Sequence, residues 1–153
     1  MIEPNIGKIA LNGFKDISLS TLPGFDAHIG LQFEYLLLQN RSMLLQAIGI
    51  SVVDIVCDGP YRQSKTSAQD GCQIDYLVQT FTKNLFVCEF KFKRRELGID
   101  IINDIKEKLS ALKVPRGFAA APILFHIRGA TSSLETAGYF YRIIDITDFI
   151  QDV

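Results

Sequence analysis

Glu89 and Lys91 stand two residues apart in the stretch VCEFKFKRREL, residues 87–97, a run that otherwise reads as a buried strand. Alternate side chains of a strand share a face. Phe86, Cys88, Phe90 and Phe92 therefore form a core face, while Val87, Glu89, Lys91 and Lys93 form one that starts apolar and turns charged. Glu89 and Lys91 are then about 6.6 Å apart along the strand. The preceding strand alternates Ile74, Tyr76 and Val78 against Gln73, Asp75 and Leu77, and Asp75 is its only charge. Two carboxylates brought close together repel, and a buried one is hard to ionise. A hard divalent cation such as Mg2+ relieves both problems, taking one or two carboxylates together with waters and a substrate phosphate. Lysine has the wrong charge to ligate a metal, but it can orient a water or stabilise charge on a phosphate oxygen. Two acids and a lysine on adjacent strands thus suit metal-assisted phosphodiester hydrolysis. A structural charge cluster at the end of a sheet is the competing reading.

Strand register decides whether Asp75 joins the other two, because directly opposed residues of a hairpin point to the same face. A three-residue loop, Thr82-Lys83-Asn84, pairs Phe81 with Leu85, Leu77 with Glu89 and Asp75 with Lys91, and all three charges share one face. A two-residue loop at Lys83-Asn84 sets Asp75 opposite Phe92, on the other face. A shared site therefore requires an odd loop, or a bulge that restores the parity.

The surrounding elements follow from periodicity. Asp26 can cap a helix with Ile29, Phe33, Leu36 and Leu37 on one stripe, and a short helix over 42–47 follows. Residues 50–57, rich in β-branched side chains, read as a strand ended by Asp58-Gly59-Pro60, with a polar loop over 61–71. The strand pair spans 73–81 and 85–93. A helix over 99–112 carries Ile101, Ile102, Ile105, Leu109 and Leu112 on its stripe and stops at Pro115-Arg116-Gly117. Strands over 121–127 and 141–146 and a short closing helix complete the chain. The expected class is α/β, an αβββαβ core with a mixed central sheet flanked by helices. Residues 1–25 have weak periodicity, end in Leu22-Pro23-Gly24 and read as a lead-in or linker, leaving 26–153 as a single domain.

Asp75 followed by Glu89-Phe90-Lys91 resembles the D…(D/E)xK signature of the restriction-endonuclease-like PD-(D/E)xK nucleases, and the element order is similar to that family's core. The likeness covers residues 26–146. It implies that Asp75 and Glu89 bind Mg2+, with Mn2+ able to substitute, that the Phe90 backbone carbonyl assists, and that Lys91 serves the attacking water. Many members add a Glu from the first helix, and Glu34, one turn after Gly30, sits where that residue would be. The proline that usually precedes the Asp is missing, since residues 72–75 read Cys-Gln-Ile-Asp. A narrower likeness joins GCQIDYLVQT, VCEFKF and PILFHIRG to the C-terminal nuclease-like domain of a class of AAA-type ATPases. The chain has no G-x-x-x-x-G-K-[ST] motif, so the likeness implies a separately expressed C-terminal piece with an ATPase module as partner.

Composition limits the other classes. The 153 residues suit one domain, and 48% apolar with 22% charged is an ordinary globular balance. No apolar run approaches the roughly eighteen residues of a membrane span, and the first residues do not form a signal peptide. Cys57, Cys72 and Cys88 lack CxxC spacing and read as buried free thiols of a cytoplasmic protein. Net charge is −1, yet residues 83–116 hold nine lysines and arginines against five acids. Lys93, Arg94 and Arg95 suit a phosphate backbone or the protected end of a strand equally. Lys106 and Lys108 lie off the helix stripe and read as solvated, with room for one to face a substrate. His126 reads as a packed core histidine and His28 as exposed, and neither has the partners of a hydrolase triad. Ser132 and Ser133 lack a G-x-S-x-G pattern. With no tryptophan there is no evident stacking platform for single strands. Two functions remain: a metal-dependent nuclease acting on DNA, for which two-strand cleavage would favour a homodimer, or a catalytically silent domain of the same fold that binds DNA or a partner.

Overall fold

In the computed structural model residues 22–150 are described; residues 1–21 and 151–153, and with them most of the expected lead-in, lie outside the described residues. Helix α1, Phe25–Gln39, begins after Gly24, whose φ of 77° is a left-handed conformation. Asp26, expected as the cap, stands inside the first turn, where its charge still suits the helix dipole. Phe33 and Leu37 are buried as expected, but Leu36 is 50% exposed. Helix α2, Arg41–Ile48, buries Leu44, Leu45, Ala47 and Ile48 and ends at Gly49 in the left-handed region.

Five strands form one mixed sheet in the order β1-β2-β3-β4-β5: β1 Ile55–Gln63, β2 Cys72–Thr80, β3 Asn84–Lys91, β4 Ala119–His126 and β5 Arg142–Asp145. The first three run antiparallel and the last three parallel. Parallel neighbours need crossovers, supplied here by α3, Ile101–Ala111, and by α4, Ser132–Thr136, with α5, Thr147–Ile150, after β5. The αβββαβ order and the mixed sheet flanked by helices agree with the sequence reading. Helix α4 falls between the strands expected over 121–127 and 141–146, where the sequence reading places no element.

The first strand is corrected most. Residues Val52–Asp54 form a 3-10 turn with Val52 and Val53 69% and 80% exposed, so β-branched composition alone misplaces the strand start. The strand then runs through Asp58-Gly59-Pro60 rather than ending there. It tolerates Pro60 because it is an edge strand.

Helices α1 and α2 cover one face of the sheet, packing with Tyr76, Val78, Phe86, Cys88, Phe90, Ile123 and Phe125. Helix α3 covers the other, with Ile101, Ile102 and Ile105 against Leu124 and Leu134. Leu112, just beyond its end, packs with Ile74, Leu85 and Val87. Strand β3 is thus buried on both faces, which accounts for its near-continuous apolar run. Burial of Phe90 and Phe125 is worth roughly 1.5–3 kcal/mol each.

Candidate active site

The hairpin between β2 and β3 sets the geometry. Its loop is Phe81-Thr82-Lys83, three residues as a shared site requires, but one residue earlier than read. Lys83 adopts φ 62°, its N–H bonds Thr80 O at 3.1 Å, and Thr80 Oγ1 accepts the Asn84 N–H at 3.2 Å. This one-residue displacement shifts the register by two. Leu77 pairs with Val87 and Tyr76 with Cys88, so the continued register sets Asp75 across from Glu89, not Lys91.

A second irregularity aims Asp75. In the β1–β2 ladder Gly59 pairs with Leu77 and Tyr61 with Ile74, which leaves Asp75 and Tyr76 together opposite Pro60. Proline has no N–H to give the ladder, and β2 bulges there; bulges re-aim side chains. The strict alternation expected for β2 therefore fails at Asp75. Ile74 leaves the face of Tyr76 and Val78 and packs with Leu85, Val87 and Leu112. Past the Tyr76–Cys88 pair, β2 continues with β1 and β3 with β4. At this parting the Asp75 carboxylate accepts the Phe90 N–H at 2.8 Å.

Glu89 is only 3% exposed. Its Oε1 lies 2.6 Å from Lys91 Nζ, and Lys108 Nζ from α3 reaches Oε1 at 2.7 Å and Oε2 at 2.6 Å. Lys108, read as solvated, is thus a site residue that the sequence reading missed. A signal was available: Lys108 lies on the line Ile101, Ile105, Lys108, Leu112, a helical apolar stripe whose other three members are buried. Gln63 positions this helix, its Nε2 donating to Ala111 O at 2.7 Å and Asp70 O at 2.6 Å, while its Oε1 accepts the Lys113 N–H at 3.1 Å.

The charges are unevenly compensated. Burial first, and then the charge of Glu89, push the Asp75 carboxyl up to about 6, against the lowering effect of the Phe90 N–H and of Lys108. Glu34, half-buried on α1, is near enough for its charge to add to that rise. Burial opposes the charge of Lys91, but Glu89 outweighs it and the ammonium is held above its ordinary pKa.

Lys91 and Lys108 line a groove of about 460 Å³ together with Cys72, Gln73, Asp104 and Glu107. An adjoining trough of about 510 Å³ shares Cys72 and Gln73 and adds Arg62 and Lys65. Of the basic run after β3, Arg94 pairs with Asp26 at 2.7 Å and lies over the Phe25 ring, while Lys93 and Arg95 together border two further hollows. His126 is buried and accepts the Gly129 N–H at 3.2 Å; burial lowers its pKa, as suits a core histidine. Of the cysteines expected to be buried only Cys88 is; Cys57 is exposed and Cys72 partly so.

Among the described residues no group of three or more His, Cys, Asp and Glu side chains is placed to hold a metal. Asp75 and Glu89 nevertheless make a pair of hard oxygen donors that suits Mg2+, an ion that keeps most of its waters. The raised Asp75 carboxyl marks where a further cation would be welcome.

No family model matches the chain, and no curated protein matches it. Among solved structures it is similar to a repair endonuclease from Pyrococcus abyssi, at 14% identity over 77% of this chain and 46% of that one, with a TM-score of 0.46. It is also similar to a chain in the structure of an EndoMS–dsDNA complex, at 19% identity over 77% of this chain and 44% of that one, with a TM-score of 0.41. The chain spans less than half the length of either. No helix among the described residues is long and apolar enough to cross a membrane.

Proposed function

We propose that this domain hydrolyses phosphodiester bonds of DNA with the help of a divalent ion, Mg2+ or Mn2+. The observation that supports it best is the meeting of Asp75, Glu89 and Lys91 where β2 and β3 part, beside a groove lined by Lys91 and Lys108 as well as Asp104 and Glu107. The choice of DNA rests on the resemblance of Asp75 and Glu89-Phe90-Lys91 to the nuclease signature. Asp75 and Glu89 would hold the ion, with the Phe90 backbone and Glu34 as candidates to assist. When bound, the ion supplies a Lewis acid for a phosphoryl oxygen and lowers the pKa of a water. Lys91, an ammonium through neutral pH, donates hydrogen bonds to that water or to a phosphate oxygen. Arg62 and Lys65 in the adjoining trough would meet neighbouring phosphates.

A second reading is a silent domain of the same fold that binds DNA or a partner. One observation favours it: both oxygens of Glu89 are already held by lysines. Under either reading the likeness of GCQIDYLVQT, VCEFKF and PILFHIRG to ATPase-linked domains makes an AAA-type module the partner to test. A homodimer would serve two-strand cleavage, and the free thiols suit the cytoplasm.

Calorimetric titration of Mn2+ into wild type, Asp75→Ala and Glu89→Ala, with plasmid nicking on the same samples and on Lys91→Ala, tests the proposal. Saturable binding lost in both acid variants, with nicking lost in all three, is the expected result. Binding without nicking favours the silent domain. No binding at all overturns the metal site and leaves a structural charge cluster.

A further inference from the structure

We propose that Lys108 is a counter-cation built into the site, which competes with a divalent ion for Glu89 and turns to a substrate phosphate when the ion enters; this rests on the metal-site reading above. Lys108 Nζ spans both oxygens of Glu89, at 2.7 and 2.6 Å, as a chelated cation would. Lys91 holds only Oε1 from the same strand. The two ammoniums thus converge on one oxygen and repel each other. A third cation arriving at Glu89 displaces one of them. Both line the groove of about 460 Å³, with side chains 30% exposed for Lys108 and 25% for Lys91, so exposure does not choose between them; the wall each comes from does, and the one displaced is Lys108. It comes from α3, the opposite wall from β3, so its departure leaves Lys91 and the Asp75–Phe90 hydrogen bond in place. The groove it enters is where a phosphate backbone would lie beside the acids. Lys108 is therefore a positioning residue that keeps buried Glu89 compensated until metal and substrate take over.

Mn2+ titration calorimetry, paired with thermal unfolding, on the wild-type chain, Lys108→Met, Lys108→Gln and Lys108→Arg tests this. Removing one positive charge a few ångströms from a divalent ion changes affinity by about tenfold or more even at the dielectric constant of water. Lys108→Met and Lys108→Gln are expected to bind Mn2+ at least that much more tightly than wild type. Their melting temperatures should fall without Mn2+ and recover with it by more than the wild-type shift. Lys108→Arg, which keeps the charge, should stay near wild type in affinity. A purely structural role predicts weaker or equal Mn2+ binding in the neutral variants, and that result overturns the proposal while wild-type binding keeps the metal site. Binding measurable only in the neutral variants supports both. No binding in any chain removes the metal site itself and this proposal with it.

Discussion

Two acid–base clusters meet at the bulge of β2, one on each side of the sheet. On the side of α1 and α2, Asp58 accepts from Arg41 Nε at 2.8 Å, from a second guanidinium nitrogen and from the Tyr76 hydroxyl. On the side of α3, Asp75 and Glu89 share Lys91, Lys108 and one backbone N–H. The first cluster has one acid and fixed donors for both its oxygens, an arrangement that ties α2 to β1 and β2. In the second the donors are unequally divided. Glu89 has two ammoniums, while Asp75 has a single N–H and a carboxyl raised to about 6. Both clusters are polar and partly buried, so burial does not separate a structural ion pair from a site. The unevenness does, because an acid left short of positive charge beside an open groove has a use for another cation.

The largest expected effect separates the clusters by activity. Alanine at Lys91 or Asp75 should lower plasmid nicking by about 10²–10⁴-fold, the usual weight of a group that handles the reacting proton or charge. Tyr76→Phe, in the other cluster, should leave it within about twofold, and equal losses at both clusters would dissolve the contrast.

Stability against pH comes next. The Asp75 carboxyl is raised in the fold from its ordinary 3.8 to about 6, so the fold favours the protonated form. The stability this group contributes is full below the unfolded value and is lost as pH rises through the folded one, about 3 kcal/mol in all. Asp75→Asn keeps an acceptor for the Phe90 N–H and removes the charge. In urea unfolding at pH 8 it should be about 2–3 kcal/mol more stable than wild type, with the gap closing by pH 4. A gap that does not change with pH would mean that Asp75 is already compensated.

Smaller changes sharpen the structural side. Tyr76→Phe deletes one hydrogen bond to a carboxylate that keeps Arg41, and it should cost about 1–2 kcal/mol while leaving Mn2+ affinity untouched. Lys83→Gly, at the left-handed turn position, should add about 0.5 kcal/mol and alter neither cluster. A change in Mn2+ affinity there would show that the turn governs the parting of β2 and β3 more directly than the bulge does.

Much of this organisation was legible in one dimension. The apolar alternation of β3, the breaker after α3, the lone charge in β2 and the acid-x-lysine spacing placed Asp75, Glu89 and Lys91 on neighbouring strands. The odd hairpin loop was required for them to meet and is present. Lys108 was missed because charged residues on a helix are usually solvated, and its place on a buried line was outweighed by the charge of its neighbours Lys106 and Glu107. The start of β1 was missed because Val52 and Val53 have strand composition but face solvent in a 3-10 turn.

Side-chain period and residue type act within one segment, which is why the amino-acid order alone carries the helices, the strands and the identity of the two acids and first lysine. Which of those residues face each other depends on bonds between segments. A left-handed Lys83 sets the hairpin register, and Pro60, sixteen residues before Tyr76, breaks the ladder that would otherwise have kept Asp75 in strict alternation. The reach of Lys108 across the groove to Glu89 depends on how α3 docks on the sheet, with Gln63 holding its C-terminal end. Local pattern carries no record of that docking, because it is set by packing between parts of the chain that meet only in the folded state.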